Sequence, residues 1–304
     1  AQTLIDDRIA RPILIGDTAR IAGKIKELGL RMEPGNQVRV VDPVADRVLI
    51  DRLQPEYQRL VGRRGVPPDL AARRIRIRQT PLASMLLHIG DADAAICGGV
   101  GDWWGHIQDV LPIVPRRPDV RRVYALSGLI VQAGVLFICD THMVVEPTAE
   151  QIVEMTLLAA EEVRGFGLAP KAALVSHSSF GASNTDSARK MRQALAMLRA
   201  KAPELEIDGE MHADAALVES IRRTAVPDSN LRGSANLLIM PNLDAANIGF
   251  NLLKAVADGL PVGPMLLGMS KPIHVAVPSV TARGLVNLAA LSVVEAQSQE
   301  NPPA

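Results

Sequence analysis

The sequence is poor in cysteine and has no excess of either charge, and both features exclude classes of protein. Its 304 residues include two cysteines, Cys97 and Cys139, each inside an apolar run. A disulfide framework is therefore not expected, and a reducing cytoplasm is. Lysine plus arginine equals aspartate plus glutamate at 33 each, so no net charge attracts nucleic acid or an anionic membrane. Because the sequence also has no apolar stretch of membrane-spanning length, we expect a cytoplasmic protein that binds neither.

A dinucleotide-binding fingerprint is also missing. Gly98, Gly99 and Gly101 follow a predicted strand, but the G-x-G-x-x-G spacing does not occur there or after another strand. We therefore expect no nicotinamide site in this chain. The first residues, AQTLIDDRIARPILIG, include no initiator methionine and have the pattern of a helix end that leads into a strand. From this we expect a segment of a longer protein.

Short aliphatic segments alternate with longer helical patterns, which predicts a parallel α/β architecture. The predicted strands are Pro12–Ile15, Val38–Val41, Ala94–Cys97, Leu136–Cys139, Ala172–Ser176, Leu237–Met240 and Ile273–Val277. The predicted helices are Asp17–Leu28, Thr148–Phe166, Ser187–Ala200 and Asn247–Ala257. Thr148 and Gln151 have the spacing of a capping box. Pro112–Arg122, rich in proline and arginine, is the expected crossing between two domains.

A loop of small polar residues follows the predicted strand Ala172–Ser176. Its sequence at Ser176–Ser183 is SHSSFGAS, and the helix predicted from Ser187 comes next. Backbone amides and hydroxyls at the positive end of a helix suit a phosphate or another anion. The same residue types also cap ordinary strand-to-helix turns, so both interpretations stay open. Because neighbours in an extended segment point to opposite sides, His177 and Ser178 are not expected to form a nucleophile–base pair.

Two further polar segments are candidates for a site. Asp208, Glu210, His212 and Asp214 alternate along the chain and would share one face of a strand. They are either ligands of a divalent metal or caps and solvated loop residues, and no metal is assigned. The polar segment before Asn247, at the expected start of a helix, is a candidate cleft wall, because ligands of open α/β sheets bind at the carboxyl ends of strands. It is equally an ordinary connection.

Arginines are concentrated between positions 63 and 78. Most such clusters are solvent-exposed helix faces paired with acids, and binding of a phosphate-rich ligand such as coenzyme A is the alternative. In that alternative, Arg73 and Arg76 are the candidate contacts. Trp103 and Trp104 lie in a segment with glycine on either side, predicted to be a loop, and we expect them to pack in a core or an interface.

Four segments together resemble the phosphate acetyltransferase/butyryltransferase family. They are SHSSFGAS, IDGEMHADAAL, GSANLLIMPNLDAANIGFNLLK and VGPMLLGMSKPIHV, in the order and approximate spacing of that family. The resemblance extends from about Arg11 to Val294. It implies two α/β domains of the isocitrate/isopropylmalate dehydrogenase-like kind, 1–121 plus 269–304 and 122–268, with a cleft for coenzyme A and acyl phosphate between them. It also implies homodimers formed mainly through the second domain.

Within the family, the sequence resembles the branch fused to bacterial NADP-dependent malic enzymes. SHSSFG is similar to that branch, whereas active transacetylases more often have Ser-x-Ser-Thr-Lys-Gly, and they usually have glycine where Ala246 stands. The resemblance implies a parent enzyme that oxidatively decarboxylates malate to pyruvate. Its NADP and divalent metal would bind to an N-terminal region outside this chain. The present domain would bind acetyl-CoA as an effector and hold a homo-oligomer together.

The catalytic positions of the family carry other residues here. Active transacetylases have Asn-Asp-Leu-Ser-Arg-Gly-Cys-Ser shortly after a Lys-Pro that corresponds to Lys271–Pro272. Val277 stands in the place of the serine and Pro278 in that of the arginine; a later aspartate falls near Gly284, and a substrate-binding arginine near Gln108. None of these side chains is a base or a cation for a phosphate dianion. We therefore expect no acyltransferase activity and assign no catalytic residue.

The resemblance leaves two alternatives and a set of candidate ligand contacts. A shifted alignment would bring Ser279 and Arg283 into the catalytic places and make the chain an active phosphate acetyltransferase. A purely structural oligomerisation module is the other alternative. For acetyl-CoA binding, the candidates have amides, hydroxyls or cations suited to phosphates. They are Ser176, Ser178, Ser179, Gly181, Ser183, Asn247, Lys271, Arg73 and Arg76. An effector site at a subunit interface is an equal expectation.

Overall fold

The computed structural model describes residues 1–132 and 134–300, which form ten strands and twelve α-helices. The strands are β1 (Ile13–Ile15), β2 (Arg39–Val41), β3 (Ala95–Gly98), β4 (Tyr124–Val131), β5 (Gly134–Cys139), β6 (Lys171–Val175), β7 (Glu206–Met211), β8 (Leu237–Ile239), β9 (Leu260–Leu267) and β10 (Ile273–Ala276). The helices are α1 (Gln2–Asp6), α2 (Thr18–Glu27), α3 (Arg47–Val61), α4 (Pro68–Ile77), α5 (Gln79–His88), α6 (Trp103–Val110), α7 (Ala149–Gly165), α8 (Asp186–Lys201), α9 (Ala213–Leu217), α10 (Glu219–Ala225), α11 (Leu243–Val256) and α12 (Ala282–Glu300). The α/β class predicted from the sequence is confirmed.

The chain divides into two compact units. Unit 1 consists of Ala1–Arg116 together with the chain from Met269 onward, and unit 2 is Arg117–Gly268. The first crossing falls inside the proline- and arginine-rich segment Pro112–Arg122. The domain limits expected at 121/122 and 268/269, and the likeness to isocitrate and isopropylmalate dehydrogenases, stay predictions.

The predicted elements are present with small shifts, apart from one helix start. All seven predicted strands occur within two residues of their expected limits, and three of the four predicted helices within one. The capping box of α7 is confirmed: the Thr148 hydroxyl accepts from the Gln151 amide, and the Gln151 side chain accepts from the Thr148 amide. The start predicted at Asn247 is wrong. Helix α11 begins at Leu243, because Asn242 caps it by accepting from the Ala245 amide.

Unit 2 contains a six-stranded mixed sheet in the order β7-β6-β8-β5-β4-β9. Strands β5 to β8 are parallel, and β5, β6 and β8 are among the predicted strands, whereas β4 is antiparallel to both β5 and β9. Helices α7 and α8 pack against the sheet. Leu238, Met211 and Phe250 belong to a buried cluster that includes residues of β8, β7 and α11. Because the carboxyl ends of parallel strands share one edge, the loops after β5, β6, β7 and β8 lie along the same edge of this sheet.

Unit 1 contains two short parallel pairs, β1 with β2 and β3 with β10. Helices α3 to α5 bury Ile50, Tyr57 and Leu82 in its core. Gly98 ends β3 with a φ of +85°, and a Cβ there would lie 2.3 Å from the carbonyl oxygen of Ala276. The close approach of β3 and β10 therefore requires glycine at this position. Among the described helices, none has the length and hydropathy needed to cross a membrane.

Candidate functional site

The loop for which both an anion site and an ordinary capped turn stay open follows β6 in unit 2 and leads into α8. Ser176 and Ser178 are buried, and Ser178 Oγ accepts a hydrogen bond of 2.9 Å from the Ser183 amide. The Ser176 hydroxyl accepts from the Ser178 amide at 3.1 Å, while Ser179 Oγ accepts from the His212 amide at 3.3 Å. The structure thus brings Ser176, Ser178, Ser179, Gly181 and Ser183 together in one loop. Hydrogen bonds from backbone amides to its serine hydroxyls stabilise this loop.

A buried carboxylate from β7 lies under this loop. Glu210 Oε1 accepts from Ser178 Oγ at 2.7 Å, from the Gly181 amide at 3.0 Å and from Arg192 Nη1 at 2.7 Å. The Glu210 carbonyl accepts from the Phe180 amide at 2.7 Å. Burial raises the pKa of Glu210, but the hydrogen bonds from Ser178, Gly181 and Arg192 outweigh it and leave the pKa below its ordinary value. The loop is therefore organised around an internal anion.

His177 does not activate Ser178, in agreement with the sequence analysis. Its Nε2 lies 3.3 Å from Ser183 Oγ and 3.3 Å from Thr185 Oγ1. Ser178 Oγ donates to Glu210 instead. His212 Nε2 donates to the His177 carbonyl at 2.8 Å, which fixes the backbone of the loop.

The loop after β5 forms a second buried polar group at the same edge. Asp140 accepts hydrogen bonds from four backbone amides, at Ala125, His142, Met143 and Val144. Burial nevertheless raises the pKa of Asp140 to about 6. Thr141 Oγ1 lies 2.7 Å from Ser127 Oγ and 2.9 Å from His142 Nδ1. Burial, with the positive charge of Lys254, lowers the pKa of His142 to about 4, so this imidazole is neutral at pH 7.

Asn247 is adjacent to that second loop rather than at a helix start. It lies in the second turn of α11, and its Nδ2 donates to the Thr141 carbonyl at 3.2 Å. The expected role of Asn247 at a free helix N-terminus is therefore wrong, since Asn242 occupies the cap position. Its part in ligand binding stays a prediction.

The three cationic candidates lie in unit 1 and have internal partners or exposed positions. Arg73 and Arg76 are on α4, where Arg73 is exposed and Arg76 donates to Asp51 at 2.9 Å. Lys271 Nζ donates to the carbonyl of Leu87 at 2.7 Å, at the end of α5. Cationic groups are favoured there, because the last carbonyls of a helix carry partial negative charge. Lys271 thus has a structural partner, and its expected contact with coenzyme A stays a prediction.

The segment that the resemblance aligns with the catalytic serine and arginine is a turn between β10 and α12. The Val280 amide donates to the Val277 carbonyl at 3.0 Å, and Pro278 and Ser279 are exposed. Thr281 caps α12 by accepting from the Gly284 amide at 3.0 Å. The turn itself therefore presents apolar Val277 and Pro278 and the hydroxyl of Ser279.

The loop predicted for the two tryptophans is wrong, because Trp103 and Trp104 are the first residues of α6. Asp102 caps this helix by accepting from the Gly105 amide at 2.7 Å. Trp103 Nε1 donates to the Val275 carbonyl of β10 at 2.7 Å, so Trp103 packs inside unit 1, as expected. Trp104 is 43% exposed. The glycines of GGVGDWWGH favour a loop in the local pattern, whereas the cap that Asp102 provides starts a helix at Trp103.

The acidic residues of β7 do not form a metal centre. Asp208 and Glu210 are buried in the strand, whereas His212 and Asp214 are exposed beyond it. Among residues 1–132 and 134–300, no three His, Cys, Asp or Glu side chains are grouped to hold a metal ion. The described side chains therefore do not fit the divalent metal of the implied parent reaction. Both cysteines are buried and free of disulfides.

Sequence reasoning missed Arg192, whose guanidinium donates to Glu210 and to the Ser183 carbonyl. Arg192 and Arg199 are seven residues apart on α8, and their partners Glu210 and Asp208 are both on β7. Two basic residues at helical spacing, followed by two acids at strand spacing, are the signal that could have revealed these pairs.

Comparisons with known proteins show which family this chain resembles in sequence and fold. The family described as phosphate acetyl/butaryl transferase matches residues 1–293. The NAD-dependent malic enzyme of Rhizobium meliloti (strain 1021) is 47% identical over 295 residues, which are 97% of this chain and 38% of that enzyme. The NADP-dependent malic enzyme of Escherichia coli (strain K12) is 45% identical over 98% of this chain and 39% of its own length. The chain spans about two fifths of these relatives and corresponds to their C-terminal part.

A solved structure agrees with the family match. A phosphotransacetylase from Streptococcus pyogenes superimposes with a TM-score of 0.86 over 98% of this chain and 89% of its own, at 24% identity. At this identity the likeness concerns the fold. With the family match over almost the whole length, the chain belongs to the phosphate acetyltransferase/butyryltransferase family, in the form found as the C-terminal part of malic enzymes.

Proposed function

We propose that this chain is the regulatory and oligomerising domain of a malic enzyme that oxidatively decarboxylates malate to pyruvate in the cytoplasm. An N-terminal region of the same polypeptide is its partner and holds the nicotinamide coenzyme and the divalent metal. The relatives that support this are malic enzymes more than twice as long as the chain. They include an NAD-dependent and an NADP-dependent enzyme, so the NADP specificity expected from the sequence is one of two coenzyme choices.

We further propose that the domain senses acetyl-CoA and does not transfer its acetyl group. The observation that carries it is the turn after β10, where the resemblance implies a serine–arginine pair and this chain has Val277 and Pro278. Acyl transfer to phosphate requires a group that handles protons and cations that stabilise the dianion. Apolar side chains at those two positions supply neither, while the candidate phosphate contacts Ser178, Gly181 and Lys271 lie at other positions.

The decisive measurement is acetyl phosphate formation from acetyl-CoA and inorganic phosphate. We expect the purified chain to give the rate of the enzyme-free reaction, with an active phosphate acetyltransferase as the positive control. The enzyme alternative depends on Ser279, exposed in the turn, and on Arg283, exposed in the first turn of α12. Formation of acetyl phosphate that the substitution Ser279→Ala abolishes would establish that alternative and refute the proposed loss of catalysis.

The oligomerising role is supported by a surface of unit 2. Ile248, Leu252 and Val256 are four residues apart on α11, and they are 57%, 61% and 85% exposed. Side chains at this spacing share one face of a helix. A row of exposed aliphatic side chains on a soluble domain is typical of a subunit contact. We propose that a second copy of this chain covers it, in accordance with the homodimers that the family resemblance implies through the second domain.

A further inference from the structure

Two ion pairs connect α8 with β7, and they differ in how their carboxylates are satisfied. Arg199 Nη2 lies 2.8 Å from Asp208 Oδ1, and Arg192 Nη1 lies 2.7 Å from Glu210 Oε1. Both acids are buried, with exposed fractions of 3% and 0%. The two pairs therefore serve as controls for each other.

The Asp208 pair has the hydrogen bonding of a structural contact. Its Oδ1 accepts from Arg199 and, at 2.9 Å, from the Gly209 amide. Its Oδ2 accepts from Ser229 Oγ at 2.7 Å and from the Asn230 amide at 2.9 Å. With two donors on each oxygen, this buried carboxylate is satisfied.

In the pair of Arg192 with Glu210, the hydrogen bonds are unevenly divided between the two carboxylate oxygens. Three donors converge on Oε1, from Ser178, Gly181 and Arg192. The other oxygen, Oε2, is buried and has no hydrogen-bond partner among the described residues. Leaving a buried charged acceptor unpaired costs free energy that a structural ion pair would normally avoid. Glu210 therefore satisfies the loop's donors at the expense of one of its own oxygens.

The donors around Oε1 are those that a phosphate needs. An arginine, a hydroxyl and a backbone amide in a serine- and glycine-rich loop are typical phosphate contacts. The Arg192 side chain is 31% exposed, so solvent reaches it although it does not reach Glu210. Arg192 also donates to the Ser183 carbonyl at 2.9 Å and to Asn184 Oδ1 at 3.2 Å, which keeps the guanidinium at the loop. A tetrahedral dianion would give these donors separate oxygens instead of one shared atom.

We propose that Arg192, the Ser178 hydroxyl and the Gly181 amide form a phosphate-binding site, and that Glu210 occupies these donors until a phosphate ester displaces it. Glu210 is then an internal competitor that sets the affinity of the site. The inference deepens the proposed function, since it would account for binding of the phosphates of acetyl-CoA. The site can also be tested without that ligand, because inorganic phosphate has the same chemistry.

The test is calorimetric titration of the chain with inorganic phosphate and, separately, with acetyl-CoA. E210Q removes the competing charge at nearly constant shape, and it is expected to tighten phosphate binding by roughly tenfold, which is about 1.4 kcal/mol. R192Q is expected to weaken it by a similar factor or more. The matched controls D208N and R199Q alter the neighbouring pair and are expected to lower the melting temperature without changing either affinity.

The sign of the E210Q effect decides the inference. Weaker phosphate binding in E210Q would show that Glu210 only supports the loop and would overturn the proposal, as would the same affinity in every variant or no phosphate binding in any. If E210Q does not fold, the phosphate affinities of R192Q and R199Q are compared instead. Equal losses of affinity in these two variants would refute the site. Acetyl-CoA binding to the wild type with no response to E210Q or R192Q refutes this site alone. A normal phosphate response without acetyl-CoA binding refutes the effector proposal alone.

Discussion

Arg222 is fully buried, and it is held by carbonyl groups rather than by a carboxylate. Its Nη1 donates to Ala215 at 2.8 Å, and its Nη2 donates to Leu231 at 2.9 Å and Gly233 at 2.6 Å. It thus joins α9 to the segment before β8. Arg222→Met fills a similar volume but leaves these buried acceptors unpaired, and we expect it to lower the free energy of unfolding by about 2–4 kcal/mol.

The control for Arg222 is the next residue along the chain. Arg223 is exposed and pairs with Glu219 one helical turn away. Arg223→Met is expected to cost about 0.5 kcal/mol or less. Urea denaturation followed by circular dichroism compares the two variants. Equal effects of both substitutions would contradict the structural role of Arg222.

The buried imidazole of His142 is expected to make the stability of the fold depend on pH. Because burial lowers its pKa from 6.5 to about 4, the unfolded chain takes up a proton first as the pH falls, and stability is lost between pH 6.5 and 4. His142→Asn removes this titration. We expect the stability of the wild type relative to His142→Asn to fall by about 3 kcal/mol from pH 7 to pH 4.

Asp140 titrates in the same range of pH as His142, so the effect of His142 is seen only by comparison with a variant. Its raised pKa makes the folded state bind the extra proton between about pH 4 and 6, which opposes the effect of His142 in the wild type. Asp140 is present in both proteins and cancels in their difference. Urea unfolding at several pH values gives that difference. A difference that does not change with pH would mean that His142 titrates normally.

At the scale of elements, the sequence predicted the strands that are apolar and parallel and missed those with polar or turn-forming residues. Strand β9 contains Gly263 and Pro264 and lies at the edge of the sheet, where proline is tolerated. Strand β7 carries Asp208 and Glu210, whose burial depends on arginines of α8. The local pattern does not contain that pairing, so it leaves a strand and a solvated loop equally open for this segment.

The candidate site was predicted in part for the same reason. The loop Ser176–Ser183 was recognised from its small polar residues between a strand and a helix. The part played by Glu210 was not, because it depends on the parallel pairing of β6 with β7. Arg192 comes to the loop from α8, and its contact with Glu210 is tertiary. Residue types thus indicate an anion loop, whereas the competing carboxylate follows from the register of two strands.

The exposed apolar row of α11 gives a prediction about assembly. If a second copy covers Ile248, Leu252 and Val256, then Leu252→Lys places a charge in that contact and should shift the chain toward monomer. Sedimentation velocity at micromolar concentration measures the shift. Val48→Lys, on the exposed face of α3 in unit 1, is the control, since that side chain is 88% exposed and belongs to the other unit. A wild type that sediments at the 32.6 kDa monomer mass would refute the assembly itself.

At the scale of the whole molecule, acetyl-CoA is expected to stabilise the folded chain. A ligand that binds only the folded state contributes about 2.7 kcal/mol at a hundredfold excess over its dissociation constant. For a chain of 304 residues this corresponds to a rise in melting temperature of about 4 °C.

Acetyl-pantetheine carries the acetyl thioester without the nucleotide phosphates. If phosphate recognition dominates, it should give a much smaller shift at the same concentration. Differential scanning fluorimetry with both ligands makes the comparison. Equal shifts would place recognition at the thioester end, and no shift or heat with acetyl-CoA up to millimolar concentration would leave a structural oligomerisation module as the better description.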